Sequence, residues 1–81
     1  MRLTVRTPVG TVVVVDPADL GSFPKPLLAM LDSWHGQHMS GILVDRSDPR
    51  SVEAWLTLHR SLEVLAIEGG GGAPVFDGRV D

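Results

Sequence analysis

Four consecutive valines, Val12–Val15, constrain the fold of this chain more than any other feature of its sequence. Valine branches at Cβ and favours extended backbone, so the run predicts a β-strand. No polar residue alternates with the valines, which is typical of a strand covered on both faces. We therefore expect this strand to lie at the centre of a sheet.

A second strand is predicted immediately before the valines. Residues Arg2–Arg6 alternate polar and apolar side chains, which is the period of a strand buried on one face. Between the two strands, Pro8 fixes its own φ, and Gly10 can adopt the positive φ that short hairpin turns require. The N-terminal segment therefore predicts a β-hairpin.

The rest of the chain predicts an α+β or α/β arrangement. A helix should begin near residue 24, and residues 42–45 form a short apolar run that predicts a third strand. Asp48 and Pro49 should start a second helix that continues to residue 68. The spacing matches a βαβ crossover, so the second and third strands should be parallel. The predicted fold is β-β-α-β-α, a small three-stranded mixed sheet with two helices on one face.

Length and charge restrict the classes of protein to consider. The 81 residues predict one compact domain, residues 1–68, and a glycine-rich flexible tail, residues 69–81. The lack of cysteine excludes disulfides and cysteine-ligated zinc. A net charge of −3 argues against sequence-independent nucleic-acid binding. Because we find neither a signal peptide nor an apolar run long enough to cross a bilayer, we expect a cytoplasmic protein without membrane partners.

Two groups of polar residues are candidates for ligand binding. Asp16 and Asp45 follow the predicted parallel strands, where two carboxylates could hold Mg²⁺, although aspartates at strand ends usually stabilise turns. His35 and His38 lie three residues apart, and His59 could complete a metal site with them. The alternative for His59 is a local pair with Glu63, four residues further on. We favour the structural interpretation of both groups.

Enzymatic activity is not expected. The chain has no cysteine nucleophile, and its serines lie in neither a nucleophile elbow nor a Ser-x-x-Lys pattern. Paired carboxylates for glycoside chemistry need a deep cleft, which a domain of this size seldom provides. We therefore assign no catalytic residue and no cofactor.

An excess of apolar surface leads to the functional hypothesis. With both helices on one face of the sheet, one alternate set of the valines must face outward, and soluble monomers avoid such patches. The predicted second helix has an apolar arc of about 200°, wider than one sheet face covers. We therefore expect a non-enzymatic protein-interaction module that binds a partner protein or a second copy of itself. The predicted interface consists of Val13, Val15, Trp34, Trp55, His59 and Leu62.

Two alternatives stay open. The first is a metal- or ligand-binding domain that uses Asp16 and Asp45, or the histidines. The second is an oligomeric structural subunit whose tail, through Val75 and Phe76, docks on a neighbour.

The composition suggests a source. Lys25 is the single lysine among seven basic residues, and amino acids with GC-rich codons are abundant. In size and composition the chain resembles small proteins encoded by phages of high-GC actinobacteria. That resemblance implies a protein that binds and modulates a host protein, and it assigns no residue a role.

Overall fold

The computed structural model describes residues 1–69. Five strands, two α-helices and one short 3₁₀ helix follow one another in this part of the chain. They are β1 (Arg2–Arg6), β2 (Val12–Val15), the 3₁₀ helix (Leu20–Ser22), α1 (Lys25–Trp34), β3 (His38–Met39), β4 (Ile42–Leu43), α2 (Pro49–Leu58) and β5 (Glu63–Glu68). The predicted tail, with Val75 and Phe76, lies outside the described residues apart from Gly69.

The N-terminal hairpin is confirmed. β1 and β2 pair antiparallel, with Leu3 opposite Val15. In the turn, Thr7 N–H donates to Thr11 O and Gly10 N–H donates to Thr7 O, both at 2.8 Å. Gly10 has a φ of 89°, which a residue with a Cβ rarely adopts.

The predicted mixed sheet is wrong. The main sheet has the order β2-β1-β5, and both pairings are antiparallel. β1 is therefore the central strand, and the valine strand β2 lies at an edge. The third strand comes from residues 63–68, which the sequence had placed at the end of a helix.

The predicted parallel strand at residues 42–45 belongs to a separate two-stranded hairpin. Ile42 and Leu43 of β4 pair antiparallel with Met39 and His38 of β3. Ser40 and Gly41 form the connection and both have positive φ, 52° and 81°. Two such residues define the tight turn whose twist suits a hairpin. Since β4 pairs locally with β3, the residues between β2 and β4 are not a parallel crossover.

The second helix begins where predicted and ends earlier. The Asp48 side chain accepts the N–H of Arg50 at 3.0 Å, and Pro49 is the first helical residue. The helix ends at Leu58, where the prediction continued to residue 68. The chain then turns, with Leu62 N–H donating to His59 O at 3.0 Å, and enters β5. The wide apolar arc expected of one long helix is thus divided between a helix and a strand.

One core unites the sheet and the two helices. α1 begins at Lys25, next to the predicted start, and ends at Trp34, before Gly36 with its positive φ of 86°. The inner face of the sheet packs against both helices. The buried apolar residues are Leu3, Val5, Val15, Phe23, Leu27, Leu31, Val44, Val52, Trp55, Leu56 and Leu62.

Candidate interaction surface

The outer face of the sheet is an apolar strip between two rows of charge. Residues directly opposite one another in an antiparallel sheet point to the same face, so Val14, Thr4 and Ala66 lie side by side on the outer face. Val12 and Val14 are 49% and 54% exposed. No other element of residues 1–69 covers them.

Two ion pairs border this strip. Arg6 Nη1 lies 2.8 Å from Glu63 Oε1, and Arg2 Nη2 lies 3.8 Å from Glu68 Oε1. Each pair joins the central strand to β5, and both are solvent-exposed. Exposed pairs of this kind contribute little to stability. The charged residues of both pairs lie on β1 and β5. The apolar middle of the outer face, and all of β2, therefore carry no charged side chain.

Within residues 1–69, the outward edge of β2 pairs with no other strand, so it exposes backbone groups as well as side chains. The bond between Thr7 and Thr11 sets the alternation of hydrogen-bonded pairs, so the N–H and C=O of Val13 and Val15 point toward β1. Those of Val12 and Val14 point away from it, and β2 is an edge strand. At the next such position the chain closes its own edge: Asp16 N–H donates to Ser22 Oγ, and Asp16 O accepts from Asp19 N–H.

Half of the predicted interface residues lie in the core. Val15, Trp55 and Leu62 are 1%, 0% and 8% exposed, so their side chains are not accessible to a partner in this conformation. Val13, Trp34 and His59 are half-buried. The set of valines on the outer face is Val12 and Val14, which the predicted interface omitted. The binding role of this surface stays a prediction.

Asp16 holds a local turn together. Its side chain accepts the N–H of Ala18 at 2.9 Å, and its own N–H donates to Ser22 Oγ at 2.8 Å. Asp19 N–H donates to Asp16 O at 2.9 Å. The Asp19 side chain then accepts the N–H of Gly21 at 3.0 Å and caps the 3₁₀ helix.

Asp45 occupies the same position in a second copy of this arrangement. Its side chain accepts the N–H of Ser47 at 2.9 Å, and its own N–H donates to Ser51 Oγ at 2.7 Å. Asp48 N–H donates to Asp45 O at 3.0 Å, and the Asp48 side chain caps α2. The Ser47 hydroxyl and N–H lower the pKa of Asp45 below its ordinary value because both donate to the charged carboxylate.

The two copies share the pattern Val-Asp-x-x-Asp-x-x-Ser, over residues 15–22 and 44–51. In each copy the valine is 1% exposed and the first aspartate makes the turn. The second aspartate caps a helix, and the serine hydroxyl accepts the backbone N–H of the first aspartate. The sequence contained this spacing, and it is the signal that identifies the role of the aspartates. Both carboxylates stabilise backbone, as the structural interpretation expected, and they do not form a shared metal site.

The three histidines are not brought together as a metal site. His35 Nδ1 accepts the N–H of Arg46 at 3.1 Å, and Arg46 also pairs with Asp32. His38 lies on β3 and is exposed, while His59 packs against two tryptophan rings. Within residues 1–69, no three histidine or carboxylate side chains are grouped so that they could hold a metal ion.

One shallow cleft lies between the end of β2 and the start of α2. Its volume is about 230 Å³, and its lining includes Asp16, Arg50 and Glu53. Small-molecule sites generally occupy about 300–1,000 Å³ and are mainly enclosed by apolar walls. The cleft is smaller than that and open to solvent, so we assign it no ligand.

Comparisons place no further constraint on the site. The chain matches no family model, no curated protein and no solved structure. Across residues 1–69, we find no helix with the length and apolar character needed to span a membrane. The case for a function therefore depends on the surface itself.

Proposed function

We propose that this chain is a non-enzymatic protein-interaction module that accepts an extended strand of a partner protein along the free edge of β2. The observation that carries the proposal is the pair Val12 and Val14. Each combines an exposed apolar side chain with backbone groups directed away from the sheet.

The composition of this edge supports a partner. Edge strands of soluble proteins are usually protected by charged side chains, proline or a bulge, because an open edge pairs with other strands. Residues Val12–Val15 contain none of the protective residues, and β1 and β2 pair without a register shift. A partner strand that pairs at Val12 and Val14 would satisfy both sets of backbone groups and cover both side chains.

The charge around the edge defines the chemistry of the partner. The hairpin end, residues 7–11, is uncharged, whereas Asp16 and Asp19 lie at the other end of β2. A complementary strand is therefore apolar where it faces the valines and carries a basic residue where it passes the aspartates. In this proposal the partner is a different protein, as the resemblance to phage proteins that bind host factors also suggests.

Site-specific photocrosslinking in expressing cells tests the proposal. A photoreactive residue replaces Val14, and the same residue at Thr57, exposed on α2, is the control. We expect a discrete, saturable adduct from position 14 that Val12→Lys removes and Arg50→Lys leaves intact. The crosslinked partner peptide should be an apolar segment with a basic residue at one end.

Three results would overturn the proposal. One is adducts from position 14 that are no more frequent than those from position 57. Another is a crosslinked peptide that is acidic or helical. The third is an adduct of two copies of this chain, with about twice its mass of 8.7 kDa, which would assign the edge to self-association.

A further inference from the structure

His59 joins the C-terminal ends of the two helices through aromatic contacts. Its imidazole centroid lies 5.3 Å from the ring of Trp34 and 5.3 Å from the ring of Trp55, at interplanar angles of 83° and 62°. Trp34 is the last residue of α1, and Trp55 lies one turn before the end of α2. These are the two tryptophans of the chain, so both contact a single titratable side chain.

The hydrogen bonds of His59 fix its protonation state. Nδ1 accepts the backbone N–H of Ser61 at 3.2 Å, which requires that this nitrogen carry no proton. The backbone of His59 accepts the N–H of Leu62 and donates to Trp55 O, both at 3.0 Å. Residues 59–62 therefore form a turn that depends on a neutral imidazole and leads directly into β5.

Among residues 1–69, the carboxylates of the neighbouring elements α1 and β5 are paired with arginine side chains. Asp32, near Trp34 on the α1 side, forms an ion pair with the side chain of Arg46. His35 accepts the backbone N–H of Arg46. Glu63 is paired with Arg6 across the sheet, and Arg60 is the residue next to His59 in the chain. Burial lowers the pKa of His59 below its ordinary value because it disfavours the charged form of the ring.

We propose that His59 is a pH-sensitive clamp that holds the helix ends and the 59–62 turn in place, and that releases this turn when it is protonated. A proton on Nδ1 would face the Ser61 N–H, so two donors would meet where one donor and one acceptor now do. A charged imidazolium in this site, which is lined by two indole rings, would also lose part of its hydration. The ring therefore moves outward, and the start of β5 loosens while β1 and β2 stay paired.

This inference is independent of the interaction proposed at β2. It concerns the opposite edge of the sheet, where β5 pairs with β1. A mildly acidic solution would loosen this edge and leave the hairpin edge unchanged.

Two measurements on the intact chain test the clamp. Tryptophan fluorescence between pH 8 and 4.5 should change with a midpoint below 6.5, because the ring that contacts both indoles becomes charged and moves away from them. Over the same range, amide exchange at Ser61 and Leu62 should accelerate at least about 10-fold relative to Val5. His59→Gln should remove both transitions, since glutamine can still accept the Ser61 N–H and does not titrate, whereas His35→Gln and His38→Gln should retain them.

The outcomes that would overturn the clamp are distinct. NMR titration of the wild-type imidazole gives its midpoint without any variant, and a value at or above 6.5 would contradict the proposal. Titration without accelerated exchange at Ser61 and Leu62 would show a half-buried histidine with no switching role. An unchanged fluorescence transition in a folded His59→Gln variant would assign it to another group.

Discussion

Replacing Ser51 with alanine should remove the most important polar contact of the second Val-Asp-x-x-Asp-x-x-Ser segment. The Ser51 hydroxyl accepts the N–H of Asp45 at 2.7 Å and donates to the C=O of Leu43 at 2.9 Å. Ser51 is only 7% exposed. It therefore joins the end of β4 to the first turn of α2 in a place that water barely reaches.

The expected loss follows from the two backbone groups that the variant leaves unpaired. A buried donor or acceptor without a partner costs about 1–3 kcal/mol. For two groups at the margin of the core, Ser51→Ala should lower the free energy of unfolding by about 2–4 kcal/mol. In a domain of this length, about 1 kcal/mol corresponds to a shift of roughly 4–8 °C in Tm.

Ser22 provides the matched control. Its hydroxyl accepts the equivalent N–H, that of Asp16, at 2.8 Å, but it donates to Asp19 O at 2.7 Å, within its own turn, and it is half-exposed. Because water can replace the hydroxyl there, Ser22→Ala should cost less than about 1 kcal/mol. Urea unfolding followed by circular dichroism measures both variants. Equal losses, or a loss below about 0.5 kcal/mol for Ser51→Ala, would show that burial of the serine does not set the cost of removing its hydroxyl.

Three further predictions follow from the fold and the turns. Leu56→Asp should abolish cooperative unfolding in a thermal scan because it buries a charge at a fully enclosed position, while Thr57→Asp on the exposed side of α2 should not. Gly41→Ala should lower stability by roughly 1 kcal/mol in urea because φ is 81° there, and Gly41→Asn should lower it less. Ser47→Ala should raise the pKa of Asp45 in an NMR titration. The stability that this lowered pKa provides is present above pH 3.8 and is lost as the pH falls through the folded-state pKa of Asp45. The free energy of unfolding of Ser47→Ala should therefore decrease less in acid than that of the wild type.

Features encoded by neighbouring residues were predictable from the sequence. Pro8 and Gly10 indicated the first hairpin, and Asp48 with Pro49 indicated the start of α2, because turn and cap chemistry acts within a few residues. The Ser40–Gly41 turn is equally local, but the interpretation of residues 42–45 as part of a βαβ crossover disregards it. That interpretation led to the wrong parallel strand.

β5 could not be recognised from local pattern. Residues 62–68 contain an apolar run that fits a helix or a strand, and no glycine or proline marks the end of α2 at Leu58. Its conformation depends on pairing with β1, at the other end of the described chain.

The candidate surface was predictable in part. The valine run indicated that one alternate set must face outward, and the structure exposes Val12 and Val14. Which set does so is decided by the hairpin register, because Leu3 opposite Val15 places both residues in the core. A shift of one residue would have exposed the other set, and composition carries no information on that choice.

Amide hydrogen exchange of the isolated chain at low concentration tests most directly whether the edge of β2 is open. The amides of Val13 and Val15, bonded to β1, should exchange at least about 100-fold more slowly than those of Val12 and Val14. Equal protection of all four amides in the monomer would mean that the chain closes its own edge, and no partner strand could then be accommodated there.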